Sequence, residues 1–142
     1  MVDPSLLLDK IQEALANSPG VQELLGFVGN IVIHEDKILL SEALNEVDVR
    51  SILIVWDGLD ASDDLSPFVH SVTLYVRSQC AMHKAFWKIM SAVPGGSQFP
   101  VNLGVFHEDF ELIGAPSASR ETDEDGVDRM KISMRFKDRS QT

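Results

Sequence analysis

Apolar residues recur along this chain at two spacings, one typical of helices and one typical of strands. In PSLLLDKIQEALAN (4–17) they recur every three or four positions, which predicts an amphipathic helix. Asp3 is placed to cap this helix, and Pro4 suits its first position, where no N–H is needed. The same spacing in CAMHKAFWKIMSAV (80–93) predicts a second main helix, which the following Pro-Gly-Gly ends.

Strands are predicted where apolar residues run together or alternate with polar ones. RSILIVWDG (50–58) is a short β-branched run, typical of a strand buried on both faces. FVHSVTLYVRS (68–78) alternates, which indicates a half-buried strand. FELIGAPSASR (110–120) and the strictly alternating VDRMKISMRFKD (127–138) flank the acidic turn ETDEDG (121–126). These last segments predict a C-terminal β-hairpin.

The segment 27–49 is open to two interpretations. NIVIHE (30–35) has the character of a strand, whereas KILLSEAL (37–44) fits either a short helix or another strand. Strands outnumber the helices available for crossovers. The expected fold is therefore α+β: a largely antiparallel sheet with two main helices packed on one face and a long C-terminal β-hairpin. No repeat or linker divides the chain, so we expect a single domain over residues 1–142.

The net charge of −10 argues against a function in nucleic-acid binding. Proteins that bind nucleic acids usually present a basic face that neutralises phosphates, so we do not expect this chain to bind DNA. No apolar run approaches the roughly 20 residues that span a bilayer. The first residues show no basic segment or small-residue cleavage site, so we expect no signal peptide. Cys80 is the single cysteine, which rules out an internal disulfide.

Three groups of residues carry chemistry that enzymes use. His34-Glu35-Asp36 and His107-Glu108-Asp109 contain credible metal ligands, although both triplets also fit polar turns between strands. Cys80 and His83 are three apart, so a thiolate nucleophile is conceivable, but a lone cysteine is more often a small buried apolar residue. No catalytic motif with a recognised spacing accompanies them, and we expect no enzymatic activity and no cofactor.

Two acidic segments stand out. The turn 121–128 does not match an EF-hand, because an acidic residue at position one would put ligand positions inside the last strand. It and the acidic loop around residues 60–64 therefore fit solvated turns or contact surfaces. The hairpin is long for a domain of this size, and an isolated two-stranded arm is marginal in water, so any projecting part needs a partner surface. Methionines on its apolar face are adaptable contact residues.

The order of elements and the hairpin pattern R-x-x-D-x-x-G-x-x-x-M-x-I-x-M-x-F (120–136) resemble a known family. They are similar to the tail terminator, or tail-to-head joining, proteins of long-tailed bacteriophages, including minor tail proteins that cap the tail tube. Candidate interface or lumen residues are Arg120, Glu121, Asp123, Glu124, Asp125, Asp128, Arg129, Met130 and Met134 in the hairpin, and Asp60, Asp63 and Asp64 in the acidic loop.

The resemblance implies a structural virion protein without catalytic residues. It implies a homo-oligomeric ring, commonly a hexamer, that sits on the tail tube protein, ends tube polymerisation and receives the head-tail connector or neck proteins. Its place would be the tail-neck junction of the virion, after assembly in the host cytoplasm and without membrane contact. DNA would pass through an acidic lumen without specific binding. The alternatives are a metal-dependent hydrolase that uses both His-Glu-Asp triplets and a monomeric ligand-binding α+β module.

Overall fold

The computed structural model describes residues 3–26, 30–35, 44, 50–60, 68–93, 105–107, 110–122, 126 and 128–138. These residues form an α+β structure with helices and a mixed six-stranded sheet, so the predicted fold class is confirmed. The helices are α1 (Pro4–Ala16), α2 (Pro19–Leu25) and α3 (Met82–Ala92), and the strands are β1 (Ile31–Ile33), β2 (Ser51–Asp60), β3 (Val69–Arg77), β4 (Val105–His107), β5 (Phe110–Thr122) and β6 (Asp128–Asp138).

The strand order is β1-β2-β3-β6-β5-β4. The β2–β3, β3–β6, β6–β5 and β5–β4 pairs are antiparallel, as expected from the sequence, whereas β1 runs parallel to β2. A parallel pair needs a connection of about a dozen residues or more, and the sequence between Ile33 and Ser51 is long enough for one. In this strand order β6 lies between β3 and β5, and β5 lies between β6 and β4. The C-terminal hairpin is therefore part of the sheet and does not form a separate arm.

The helix starts follow the local sequence. The Asp3 carboxylate accepts a hydrogen bond from the Ser5 N–H at 2.9 Å, and α1 begins at Pro4 as predicted. The second helix, α2, starts in the same way, with the Ser18 hydroxyl accepting from the Val21 N–H at 3.4 Å. Proline occupies the first position of both helices, where its missing N–H costs nothing.

One hydrophobic cluster joins the helices to alternate positions of the strands. We call the sheet face that carries these positions the inner face. The buried members include Leu7, Ile11 and Leu15 of α1, Ala85, Ile89 and Met90 of α3, Val72, Leu74 and Val76 of β3, and Met130, Ile132, Met134 and Phe136 of β6. Removing these side chains from water is the main contribution to the stability of the fold.

The opposite, outer face of β3 is also covered. The sequence predicts a half-buried strand, but Thr73 and Tyr75 are buried as well as the inner residues. Tyr75 packs with Leu53 and Val55 in a second, smaller cluster, against which Leu44 lies. The prediction was wrong for this strand because residues distant in sequence cover its second face. The rest of KILLSEAL lies outside the described residues.

Most of the C-terminal hairpin is integrated into the sheet. β6 pairs with β5 on one side, and with β3 on the other from Val69↔Lys137 to Val76↔Met130. Only the end next to the turn, around Asp128, extends beyond β3. The expectation of a projecting arm is therefore corrected: pairing with β3 satisfies the backbone of most of β6 within the subunit.

Candidate assembly surface

The described part of the hairpin end is held by polar contacts between its two strands. The Asp128 carboxylate lies 3.2 Å from Nη1 of Arg120 and accepts a hydrogen bond from the Thr122 hydroxyl at 2.6 Å. Thr122 and Asp128 are directly opposite in the register. All three side chains are exposed. This arrangement orients the charges of the hairpin end without hiding them from a partner.

On the outer face, Glu121 lies beside a basic residue and a buried phenol. Its Oε1 is 3.9 Å from Nζ of Lys131. The pKa of Tyr75 is raised, first by burial of its hydroxyl and then by the negative charges of Glu121 and Asp57. The Tyr75 phenol therefore stays protonated and neutral at physiological pH. Glu121 itself remains exposed and free to face a neighbouring molecule.

Three of the predicted interface residues are buried within the chain. Met130 and Met134 are 4% and 1% exposed and belong to the main core. Arg129 is 5% exposed, and its Nη2 donates a hydrogen bond to the Leu44 carbonyl at 3.0 Å. These side chains support the fold in this chain, which leaves Arg120, Glu121 and Asp128 as the exposed described members of the hairpin set.

The described ends of the acidic turn and of the acidic loop lie far apart. Asp60 ends β2 and pairs with Val69, which in turn pairs with Lys137 near the end of β6. Asp128 is nine residues away along that strand, a distance of about 30 Å. Asp63, Asp64, Asp123, Glu124 and Asp125 lie outside the described residues. The described ends of the two segments therefore belong to opposite ends of the sheet.

Beside the hairpin end, β5 has a strand edge that no other described residue pairs with. The register pairs of β4 with β5 involve only Phe110 and Glu111. Within the described chain, residues 117–122 of β5 pair only with β6, and all six are exposed. An unpaired edge presents free N–H and C=O groups to another strand. The sequence held one sign of this edge: SASRET lacks the apolar alternation of β6.

A groove lies between α3 and this edge. Its volume is about 240 Å³, and its lining consists of Met82, His83 and Phe86 of α3, Ala118, Ser119 and Arg120 of β5, and Met130 of β6. We call it the α3–β5 groove. None of these lining residues is acidic. Trp87, on the next turn of α3 after His83, is 61% exposed.

The residues considered for catalysis are placed differently from the sequence expectation. Cys80 precedes Ala81, the N-cap residue of α3, so it lies outside the helix that contains His83. Its backbone N–H is 3.3 Å from the Ser78 hydroxyl, and its side chain packs partly against the core. His83 is exposed. The contacts of Cys80 are those of a small, partly buried residue.

The histidines of the two His-Glu-Asp triplets lie at opposite edges of the sheet. His34 comes directly after β1, where its N–H donates to the Ile54 carbonyl at 2.8 Å, and His107 ends β4. Five strand spacings, about 24 Å, separate these edges. Among the described residues, no group of three or more His, Cys, Asp or Glu side chains could hold a metal ion. Asp36, Glu108 and Asp109 lie outside the described residues.

A polar cluster around the buried His70, at the other end of the sheet, was not predicted from the sequence. Nε1 of Trp56 donates to Nδ1 of His70 at 3.1 Å, and Nε2 of His70 lies 3.9 Å from the carboxylate of Asp138. Burial lowers the pKa of His70, an effect that the negative charge of Asp138 opposes. One signal in the sequence could have shown it. His70 occupies an alternate position of the strand with Val72 and Leu74, so strand alternation places all three side chains on the inner face.

No helix in the described part of the chain is long and apolar enough to cross a membrane. Comparison with known proteins finds neither a family model nor a curated sequence that matches this chain.

Proposed function

We propose that this chain is a structural, non-enzymatic subunit of a closed ring that caps the tail tube of a long-tailed bacteriophage. The observation that carries the proposal is that residues 117–122 of β5 are exposed and, within the part of the chain that the structure describes, pair with β6 alone. A long exposed edge is an aggregation hazard unless it is protected or paired. Pairing with a neighbouring subunit would protect this edge, and an assembly protein would use it as a contact between subunits.

A ring requires a contact between two different surfaces of identical subunits, repeated until it closes by rotation. The open β5 edge lies beyond β6, on the side of the sheet opposite β1. A subunit that presents this edge at one side and a different surface at the other fits that requirement. The expected arrangement of α1 and α3 on one sheet face leaves the hairpin end and β5 available to neighbours.

The charge of the chain also fits the proposed role. A ring at the tail-neck junction surrounds DNA that must pass without adhering, and a net charge of −10 on each subunit repels phosphates. Glu121 and Asp128 are exposed at the hairpin end, and in the sequence they flank the other acidic residues of the turn. One face of the ring would contact the tail tube protein and stop its growth, and the other would contact the neck proteins.

Electron microscopy of the purified protein mixed with tail tubes tests this proposal. Tubes should carry a ring at one end and stop elongating, whereas tubes without the protein should continue to grow from added tube protein. Immunogold labelling of the added protein identifies the capped end. Unlabelled ends with unchanged tube lengths would contradict the proposal.

A monomeric ligand-binding module is a second candidate, favoured by a cleft of about 450 Å³ between α1 and the end of β1. Asp3 and Asp9 line it together with Glu35 and the partly exposed Trp56. Native mass spectrometry with and without tail tubes separates this module from a ring. Metal analysis addresses the hydrolase alternative: a stoichiometric bound ion and melting that is sensitive to chelator would support it.

A further inference from the structure

The side chain of Trp56 connects a buried histidine to an open cleft. Its Nε1–H donates a hydrogen bond to Nδ1 of His70 at 3.1 Å, and His70 is fully buried. Trp56 also lines the cleft of about 450 Å³ between α1 and the end of β1, which we call the α1–β1 cleft. Trp56 is 37% exposed, so its indole N–H can exchange the contact with His70 for a contact with water.

The hydrogen bond between these two rings requires a neutral His70. Nδ1 of an imidazole accepts a hydrogen bond only while it carries no proton, and both ring nitrogens are donors in the charged form. Protonation of Nδ1 would therefore place two N–H groups against each other, and the indole N–H would have to leave. The loss of one hydrogen bond costs far less than unfolding a domain, so the fold can survive this change.

The groups around the two rings determine when His70 takes up its second proton. The carboxylate of Asp138, on β6, lies 3.9 Å from Nε2 of His70 and stabilises the charged imidazole. Phe110, on β5, meets the His70 ring edge-on and is uncharged. The described titratable groups that line the cleft with Trp56 are Asp3 and Asp9 of α1 and His34 and Glu35 after β1. Burial lowers the pKa of His70 from its ordinary 6.5, so the change belongs below that pH.

We propose that the hydrogen bond between His70 and Trp56 is an acid-sensitive contact that sets the lining of the α1–β1 cleft. At neutral pH the bond holds the indole at the wall of the cleft. In acid, protonation of His70 releases the indole while the sheet and helices stay folded. The proton shifts the population toward the released arrangement, because only that arrangement accommodates a proton on Nδ1. This contact would act in the same way in a monomer and in a ring.

NMR of the full-length Trp87→Phe variant tests the release, because Trp56 is the other of the two tryptophans. As the solution is taken from neutral pH to pH 5, the Trp56 indole N–H resonance should move upfield and exchange faster with water. The midpoint should lie below pH 6.5 and match the titration of the His70 imidazole. Acrylamide should quench Trp56 emission more strongly at the acidic end, whereas the far-UV circular dichroism should stay constant.

Two glutamine variants assign the transition to one imidazole. His70→Gln offers an amide oxygen that accepts a hydrogen bond without titrating, so the transition should disappear. His34→Gln removes the imidazole that lines the cleft and should retain the transition. A transition that His34→Gln abolishes and His70→Gln retains would overturn the proposal.

The Trp87→Phe chain decides the matter even if His70→Gln does not fold. Matching midpoints for the His70 imidazole and the Trp56 indole, with constant circular dichroism, support the proposal. An indole resonance that stays constant while His70 titrates overturns it. So does a His70 that stays neutral down to pH 5, or a transition that coincides with the loss of circular dichroism.

Discussion

Nε2 of His70 lies 3.9 Å from Oδ2 of Asp138, and both side chains are fully buried. The pair joins β3 to the end of β6, where the Asp138 N–H also donates to the Phe68 carbonyl at 2.8 Å. On its other side, the His70 ring accepts the indole N–H of Trp56, which assigns the ring proton to Nε2 in the neutral form. Protonation of Nδ1 would remove this acceptor and charge a buried ring.

The stability of the fold should therefore fall as the solution becomes acidic. The pKa of His70 is lowered from 6.5, so just below that pH the unfolded chain binds a proton that the folded chain does not. The free energy of unfolding then decreases with decreasing pH in this window. Urea unfolding between neutral pH and pH 5, with Trp56 fluorescence as a local signal, measures the change.

Two variants isolate the contribution of His70. His70→Gln removes the titrating group and should flatten the pH dependence in this window, whatever its effect on stability at neutral pH. His83→Gln removes an exposed imidazole and should leave the dependence unchanged. An equal pH dependence in the wild type and His70→Gln would show that His70 does not produce it.

Met134 should contribute to folding within one subunit. Met134→Ala creates a cavity in the core and is expected to lower the free energy of unfolding by about 2–5 kcal/mol. Arg135→Ala, at the exposed next position of the same strand, should change it by about 0.5 kcal/mol or less. Aspartate at both Met130 and Met134 should prevent folding, and a soluble, cooperatively melting double variant would contradict their burial.

Arg129 and Arg135 lie on the same face of β6 but should differ in their effect on stability. Arg129→Met removes the donor to the Leu44 carbonyl and is expected to cost about 1–3 kcal/mol. Arg135→Met changes an exposed side chain and should cost about 0.5 kcal/mol or less. Urea denaturation compares the two, and equal losses would argue against the Arg129–Leu44 contact.

The edge of β5 should control assembly without controlling folding. Ser119→Lys adds a charge to the exposed edge and should abolish rings on tail tubes in electron micrographs, because an edge lysine disfavours strand addition. Its melting temperature should match the wild type. Asn17→Lys adds the same charge at the exposed end of α1 and should assemble normally. Rings formed by Ser119→Lys would exclude this edge as the contact.

The helices and the longest strands were predictable because their signals are local. Asp3 and Pro4 mark the start of α1, and the Met130–Met134 alternation marks β6. Such signals depend on residues a few positions apart, whose geometry is set by the period of the helix or strand itself. The acidic turn was placed too early, because Glu121 and Thr122 belong to β5, and residues 123–125 lie outside the described residues.

The sequence by itself thus determined the two main helices, the four longest strands, the α+β class and the inner face of β6. The tertiary structure alone decided the insertion of β6 between β3 and β5, the parallel direction of β1 and the meeting of His70 with Asp138. A strand pattern shows which side chains are buried, but it does not show which strand lies alongside. Pairing depends on contacts between residues far apart in the chain, and the local periodicity of apolar residues does not indicate which of these contacts form.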